Sequence, residues 1–232
     1  MQIYFDFSGY TDMAIGIGYF FNIRLPSNFN SPYKATSFVD FWRRWHITLS
    51  HFLRDYLYIP LGGNRVGRIR QTINIIITML LGGLWHGANW TFVIWGGFHG
   101  FFIAFTHLWR RSGLQLPSFV ARALTFFGIM FGWVFFRASN VQEALSMFSQ
   151  MLNFKIKQPI IECMPDGLES LIWLLGLLIF VNVAPNSLEF ANTKKLTSGY
   201  AWFFAIILFM SMLGMYNGSF EVLSNQFIYE DF

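Results

Sequence analysis

Gln71-Thr72-Ile73-Asn74-Ile75-Ile76-Ile77-Thr78-Met79-Leu80-Leu81-Gly82-Gly83-Leu84-Trp85-His86-Gly87-Ala88-Asn89-Trp90 opens a stretch that reaches Trp109 without an acidic residue, a lysine or an arginine. About 20 apolar residues carry a helix across a bilayer core. The 39 residues of 71–109 are too many for one crossing and suit two. The natural break is Gly82-Gly83-Leu84-Trp85-His86-Gly87-Ala88-Asn89. Irregular backbone at membrane depth is tolerated only inside protein or beside a water-filled cavity. His86 is therefore expected at such a cavity.

Composition agrees with that reading. Of 232 residues, 54% are hydrophobic and 12% charged, about half the charged share of a soluble domain. Phe alone accounts for 29 residues. The expectation is an all-α, multi-spanning transmembrane bundle with an amphipathic or re-entrant helix, forming one membrane domain over residues 1–232. Further spans read at about 4–23, 119–136, 168–184 and 200–216, and the last residues, 226–232, form a short aromatic tail. The first span carries Asp6 and Asp12, six residues apart and so on different helix faces. Two readings stay open for them: lining a polar cavity, or sitting near an interface with a basic partner. Gly9, Gly16 and Gly18 suit close helix approach.

The net charge of +4 does not point to nucleic acid, because the basic residues cluster between hydrophobic spans. In that arrangement they set orientation. Arg65, Arg68 and Arg70, then Arg110, Arg111 and Arg122, then Lys194 and Lys195 share one side, read as cytoplasmic. Arg137, Lys155 and Lys157 fall opposite, diluted by Glu143, Glu162, Asp166 and Glu169. The His86 turn would then face outward or lie at intermediate depth. Cys163, the only cysteine, excludes an internal disulfide and a cysteine-cluster metal site. No charged n-region and cleavage site follow Met1, and the aromatic opening reads like the middle of a longer protein.

Pro26, Asn28, Asn30 and Pro32 mark a turn-rich connector. Ser37 with Asp40 three residues on resembles a capping box. Apolar residues follow at 38, 41, 42, 45, 49, 52, 53, 56 and 57, with Asp40, Arg44, His51 and Asp55 opposite. That spacing predicts one amphipathic helix to about residue 58, on the membrane surface or dipping into it. Pro60 and Gly62-Gly63-Asn64 end it.

Two tryptophan-preceded histidines, His46 and His86, stand out from the five in the chain. His51 reads as solvated and His107 as an interfacial anchor. His99 would face away from His86 on a continuous helix and reads as hydrogen-bonded to a neighbouring span. His46 lies at the edge of the apolar stripe and should point inward; His86 is balanced between helix packing and function. No metal site is expected, since no His-Glu-x-x-His or Cys-x-x-Cys occurs. A serine-hydrolase elbow and a phosphate loop are absent too.

The segments Tyr4-Phe5-Asp6-Phe7-Ser8-Gly9-Tyr10-Thr11-Asp12-Met13-Ala14-Ile15-Gly16, Asn28-Phe29-Asn30-Ser31-Pro32-Tyr33 and Phe41-Trp42-Arg43-Arg44-Trp45-His46-Ile47-Thr48-Leu49-Ser50 resemble the membrane-bound O-acyltransferase family, as do Phe52-Leu53-Arg54-Asp55-Tyr56-Leu57-Tyr58-Ile59-Pro60-Leu61-Gly62-Gly63-Asn64 and Gly83-Leu84-Trp85-His86-Gly87-Ala88. Within it they are most similar to the bacterial alginate O-acetyltransferase branch. Tyr58-Ile59-Pro60-Leu61-Gly62-Gly63-Asn64 favours that branch over the D-alanyl-transfer relatives. The resemblance implies a helical membrane bundle with a central tunnel, in the bacterial inner membrane. It implies His86 as the active-site histidine and His46 as a second polar residue there. No resident cofactor is implied. Acetyl-CoA is the donor it suggests, with an extracytoplasmic acetyltransferase or polysaccharide-synthesis complex as partner. Family members are about twice this length, so the chain reads as a C-terminal portion.

On that view His86 acts as general base on the acceptor hydroxyl, and His46 places or polarises the donor thioester. Arg43, Arg44 and Arg54, beside Trp45, are candidates to attract the donor's phosphates; solvated or headgroup-facing arginines are the competing reading. Asn89 is a candidate to orient His86. A transporter or channel, whose signature also includes broken helices at mid-membrane, and an inert membrane remnant are the alternatives.

Overall fold

The computed structural model describes residues 1–153, 167–193 and 197–216. Every regular element among them is helical, with no strand. Cys163, Lys155, Lys157, Glu162, Asp166, Lys194, Lys195 and the aromatic tail lie outside the described residues. The chain divides into two compact units, residues 24–184 and residues 1–23 with 185–232.

The larger unit holds the candidate site. Its helices are α2 (Phe38–Trp42), α3 (Ile47–Leu53), α4 (Arg68–Trp85), α5 (Trp90–Arg111), α6 (Ser118–Arg137), α7 (Val141–Leu152) and α8 (Leu168–Val183). The expected hairpin over 71–109 is present as α4 and α5, broken at residues 86–89. Its two arms approach closely because Gly83 and Gly96 face one another. A β-carbon on Gly83 would collide with the Phe92 carbonyl oxygen, and one on Gly96 with that of Met79. Small residues at such a crossing let backbones meet and gain packing that larger side chains would forbid. Around Gly9 and Gly16, by contrast, a β-carbon would meet nothing within 4 Å among the described residues.

Helix α5, with 22 residues, and α6, with 20, are each long and apolar enough to cross a membrane. Helix α8 is apolar but only 16 residues long, and α4 begins with Arg68 and Arg70 in its first turn. The expectation of spans all along the chain is thus met, by length and composition, in two of the described helices.

The predicted amphipathic helix is the main local correction. It starts as expected: the Ser37 side chain accepts from the Asp40 N–H at 3.1 Å, and the Asp40 carboxylate accepts from the Thr36 N–H at 3.1 Å. It then stops at Trp42, restarts at Ile47, and finishes in a π-helical turn over Arg54–Tyr58. The connector before it supplies the reason. The Asn28 carbonyl accepts from the Ile47 N–H at 3.0 Å, and the Asn30 N–H donates to the Arg44 carbonyl at 2.9 Å. These bonds replace the intrahelical ones that a continuous helix would make. They let Trp45 turn into the aromatic core, where it is 2% exposed.

Helix α7 was not anticipated. Its start carries a readable signal: the Asn140 side chain accepts from the Glu143 N–H at 2.9 Å, while Glu143 accepts from the Ser139 N–H at 2.9 Å. Phe148 on α7 packs on Phe131 and Phe135 of α6, with ring centroids 5.6 and 5.0 Å away.

The smaller unit comprises α1 (Gln2–Phe20), α9 (Ser187–Thr193) and α10 (Ser198–Tyr216). Asp6 is hydrogen-bonded with Gln2 and Asp12 with Ser187. Phe190 joins α9 to α10, 5.3 Å from Tyr200 and 5.7 Å from Phe204 between ring centroids.

Candidate active site

Helix α4 ends at Trp85 because the chain turns there. The His86 N–H donates to the Gly83 carbonyl at 3.0 Å, and Gly87 follows at φ +153°, a conformation open to glycine. The His86 side chain is 3% exposed. Four rings surround it: Trp85 at 5.0 Å, Trp95 and Phe136 at 5.2 Å, and Phe92 at 6.3 Å. Trp95 meets it edge-on at 89° and Phe136 at 77°, the arrangement that aromatic quadrupoles favour. The rings come from α4, α5 and α6, so the cage exists only when those helices pack.

His46 sits in the break between α2 and α3, with φ +40° and ψ +57°. A residue with a β-carbon adopts this left-handed conformation at a cost of about 1–2 kcal/mol. Such strain persists where surrounding contacts over-determine it, and it gathers at functional sites. The contacts here come from Asn28, whose side-chain oxygen accepts from the Thr48 hydroxyl at 2.6 Å and the Thr48 N–H at 3.3 Å. His46 lies outside the spanning helices, and burial pushes its imidazole down to about 4. The ring is therefore neutral near pH 7. Its partner is Trp85, at 6.5 Å, which also flanks His86. The structure thus brings together the two histidines that are 40 positions apart in sequence, across one indole.

Beside this cluster lies a cavity of about 590 Å³ between α2, α3, α4 and α5. Trp42, Leu53, Ile75, Thr78 and Met79 form its buried wall, and Arg43, His51, Arg54 and Asn64 its exposed rim. Neither His46 nor His86 lines it. It stops at Trp42, whose ring contacts Trp95 at 5.7 Å, and Trp95 in turn contacts His86.

The other sequence candidates separate. Arg43 lines the cavity and makes no ion pair among the described residues. Arg54 lines it too, but its guanidinium is forked onto Asp55 at 2.7 and 3.0 Å, which holds the Asp55 carboxyl below the usual carboxylate range. Arg44 turns away: it bonds Asp40 at 2.9 Å and the Asn30 carbonyl at 3.3 Å, and it does not line the cavity. Trp45 packs against Phe29, Phe41 and Trp133, with ring centroids 4.9, 5.5 and 4.8 Å away, as part of the core. The Asn89 side chain bonds away from His86. Its oxygen caps α5 by accepting from the Thr91 N–H at 3.1 Å, and its amide N–H donates to the Ser139 carbonyl at 2.9 Å. Among the described residues, no three His, Cys, Asp or Glu side chains gather as metal ligands.

Sequence reasoning missed Trp42, Trp95, Phe136 and the site role of Asn28. It took His99 as bonded to another span; the partner is Trp42 of α2, at 3.1 Å. Spacing along α5 does offer a signal, since Thr91, Trp95 and His99 recur every four residues on one buried face.

The membrane-bound O-acyltransferase family model matches residues 1–148. The peptidoglycan O-acetyltransferase of Helicobacter pylori is 57% identical over 155 residues, covering 65% of this chain and 29% of that protein. A protein of Azotobacter vinelandii named probable alginate O-acetylase is 52% identical over 154 residues, covering 66% of this chain and 31% of its own length. The teichoic acid D-alanyltransferase of Bacillus subtilis is 32% identical over 153 residues, covering 59% of this chain and 38% of that protein. The chain therefore spans about a third of the length of the curated relatives it matches. The match covers both tryptophan-preceded histidines, the broken hairpin and the arginine-rimmed cavity, and on it the chain belongs to the membrane-bound O-acyltransferase family.

Proposed function

We propose that this chain carries the reacting centre of a multi-pass inner-membrane O-acyltransferase. The enzyme moves an acetyl group from a cytoplasmic thioester, acetyl-CoA, toward an extracytoplasmic polysaccharide hydroxyl, directly or through a partner acetyltransferase. The observation that carries the reading is His86, buried in a cage of rings one indole away from His46 and two rings away from an arginine-rimmed cavity. A central tunnel joining the two membrane faces belongs to this proposal.

The chemistry balances with these residues alone. The acceptor hydroxyl attacks the thioester carbonyl while His86 takes its proton. The tetrahedral intermediate collapses, the carbon–sulfur bond breaks, and the thiolate leaves with the proton returned by His86. The products are an O-acetyl ester and a free thiol. Water exclusion by Trp95, Phe92 and Phe136 strengthens each electrostatic contact made in the cage and suppresses hydrolysis of the thioester. At the cavity rim Arg43 attracts donor phosphate, while Arg54, already forked onto Asp55, contributes less net charge.

The test is His86→Ala in the native-length protein in inverted membrane vesicles, following radiolabelled acetyl from acetyl-CoA into polymer. General-base loss predicts a fall of roughly 10²–10⁴-fold with unchanged membrane insertion. Wild-type transfer by that variant sinks the assignment. Solute flux without acyl transfer would instead favour a transporter.

A further inference from the structure

The Trp42 indole N–H donates to His99 Nδ1 at 3.1 Å, in a fully buried position. An indole nitrogen can only donate. His99 Nδ1 must therefore present its lone pair, and the ring proton must reside on Nε2. The ring has no room to turn. Phe38, Phe41, Trp95 and Phe98 stand 4.9–6.2 Å from it, centroid to centroid. Its Nε2 edge abuts α6 at Gly132, where a β-carbon would come within 2.8 Å of that nitrogen. His99 is thus a fixed acceptor, clamped between α5 and α6 and aimed at α2.

The group it holds is the buried wall of the cavity. Trp42 is 8% exposed and faces Leu53, Ile75, Thr78 and Met79 across that space. Its other side meets Trp95, the ring against His86. A hydrogen bond selects one indole rotamer here. Without the acceptor, the indole N–H would lose the bond that favours this rotamer.

We propose that His99 is a positioning residue that fixes Trp42 as the inner wall of the acyl-donor cavity and so restricts the donor to a short acyl group. A two-carbon acyl group can lie against the fixed indole without moving it. A longer one has to displace it. The inference rests on the reading of the cavity as the donor's.

The test compares acetyl-, butyryl- and hexanoyl-CoA as donors for the native-length protein in membrane vesicles, with kcat and KM for each. His99→Leu removes the acceptor, and Trp42→Phe removes the donor while keeping a ring. Each is expected to lower the acetyl-over-butyryl preference in kcat/KM by on the order of tenfold, the scale at which a pocket discriminates methylenes. His99→Asn, whose side-chain oxygen sits near the place of Nδ1, is expected to keep that preference. The double variant His99→Leu/Trp42→Phe is expected to be no worse than either single one, because both delete the same bond. Unchanged preference in Trp42→Phe overturns the inference, and that variant carries the test if His99→Leu fails to fold. Equal loss in His99→Asn and His99→Leu also overturns it, since packing alone would then explain both. A photoreactive acyl-CoA separates this from the underlying reading. Labelling of Ile75 or Met79 in wild type with an unaltered chain-length preference in the variants sinks the His99 role alone; no labelling there sinks the donor cavity.

Discussion

The imidazole of His46 and the indole of Trp85 stand 6.5 Å apart, centroid to centroid, at 69°. The same indole lies 5.0 Å from His86. Trp85 is 62% exposed, so its burial contributes little to the fold. Trp85→Ala should therefore shift the thermal midpoint slightly while lowering acetyl transfer at least about tenfold, and Trp85→Phe should restore most of it. Equal losses of stability and rate would make Trp85 an ordinary packing residue.

His46 holds a backbone conformation that suits glycine better than itself. His46→Gly and His46→Ala both delete the imidazole, but only alanine keeps the strain. The glycine variant should be the more stable by about 1 kcal/mol, read from denaturation in detergent, with both equally impaired in transfer. An alanine variant as stable as the glycine one would mean the left-handed turn carries no strain.

Burial gives His46 an acid sensitivity of predictable sign. Its imidazole is held down to about 4 in the fold, against an ordinary value of 6.5. Above pH 6.5 both folded and unfolded states are neutral at this residue. As pH falls from 6.5 toward 4, the unfolded chain binds a proton that the folded one refuses, so stability drops; below 4 the loss levels off. His46→Asn should flatten part of the fall in melting temperature across that window. An identical pH profile in the variant would remove His46 from the linkage.

The α4–α5 crossing depends on Gly96, where an added β-carbon meets the Met79 carbonyl oxygen. Backbone cannot yield as a side chain can, so Gly96→Ala should cut the yield of folded, membrane-inserted protein severely. Gly97→Ala, whose β-carbon would meet only the Leu80 side-chain end at 3.3 Å, should be tolerated. Protease resistance in membranes reads both.

Asn89 caps α5 and tethers Ser139. Asn89→Ala should cost about 1 kcal/mol and change the transfer rate by no more than about twofold once folded enzyme is counted. A tenfold loss at equal folded amount would restore a direct role toward His86.

The α4–α5 hairpin and the start of α2 were legible because their causes are local. Hydropathy over 71–109 and a Ser37–Asp40 cap can be read from neighbours in the chain, and both are present. The family was legible too, since its motifs are short and contiguous. One amphipathic helix over 37–58 was not a sound expectation, because the bonds that break it come from Asn28 and Asn30 in the preceding connector. Periodicity carries no trace of a competing partner outside its own window.

Residue types and spacing alone thus determined an all-helical fold among the described residues, with two helices apolar enough to cross a membrane, a broken hairpin and two tryptophan-preceded histidines. Tertiary structure decided what those residues touch. Trp42 and His99 are 57 positions apart, and Asn89 lies three residues from His86 yet bonds Ser139, 50 positions away. A side chain's partner is set by which helix faces meet, and that depends on packing across the whole unit, beyond the reach of any local pattern.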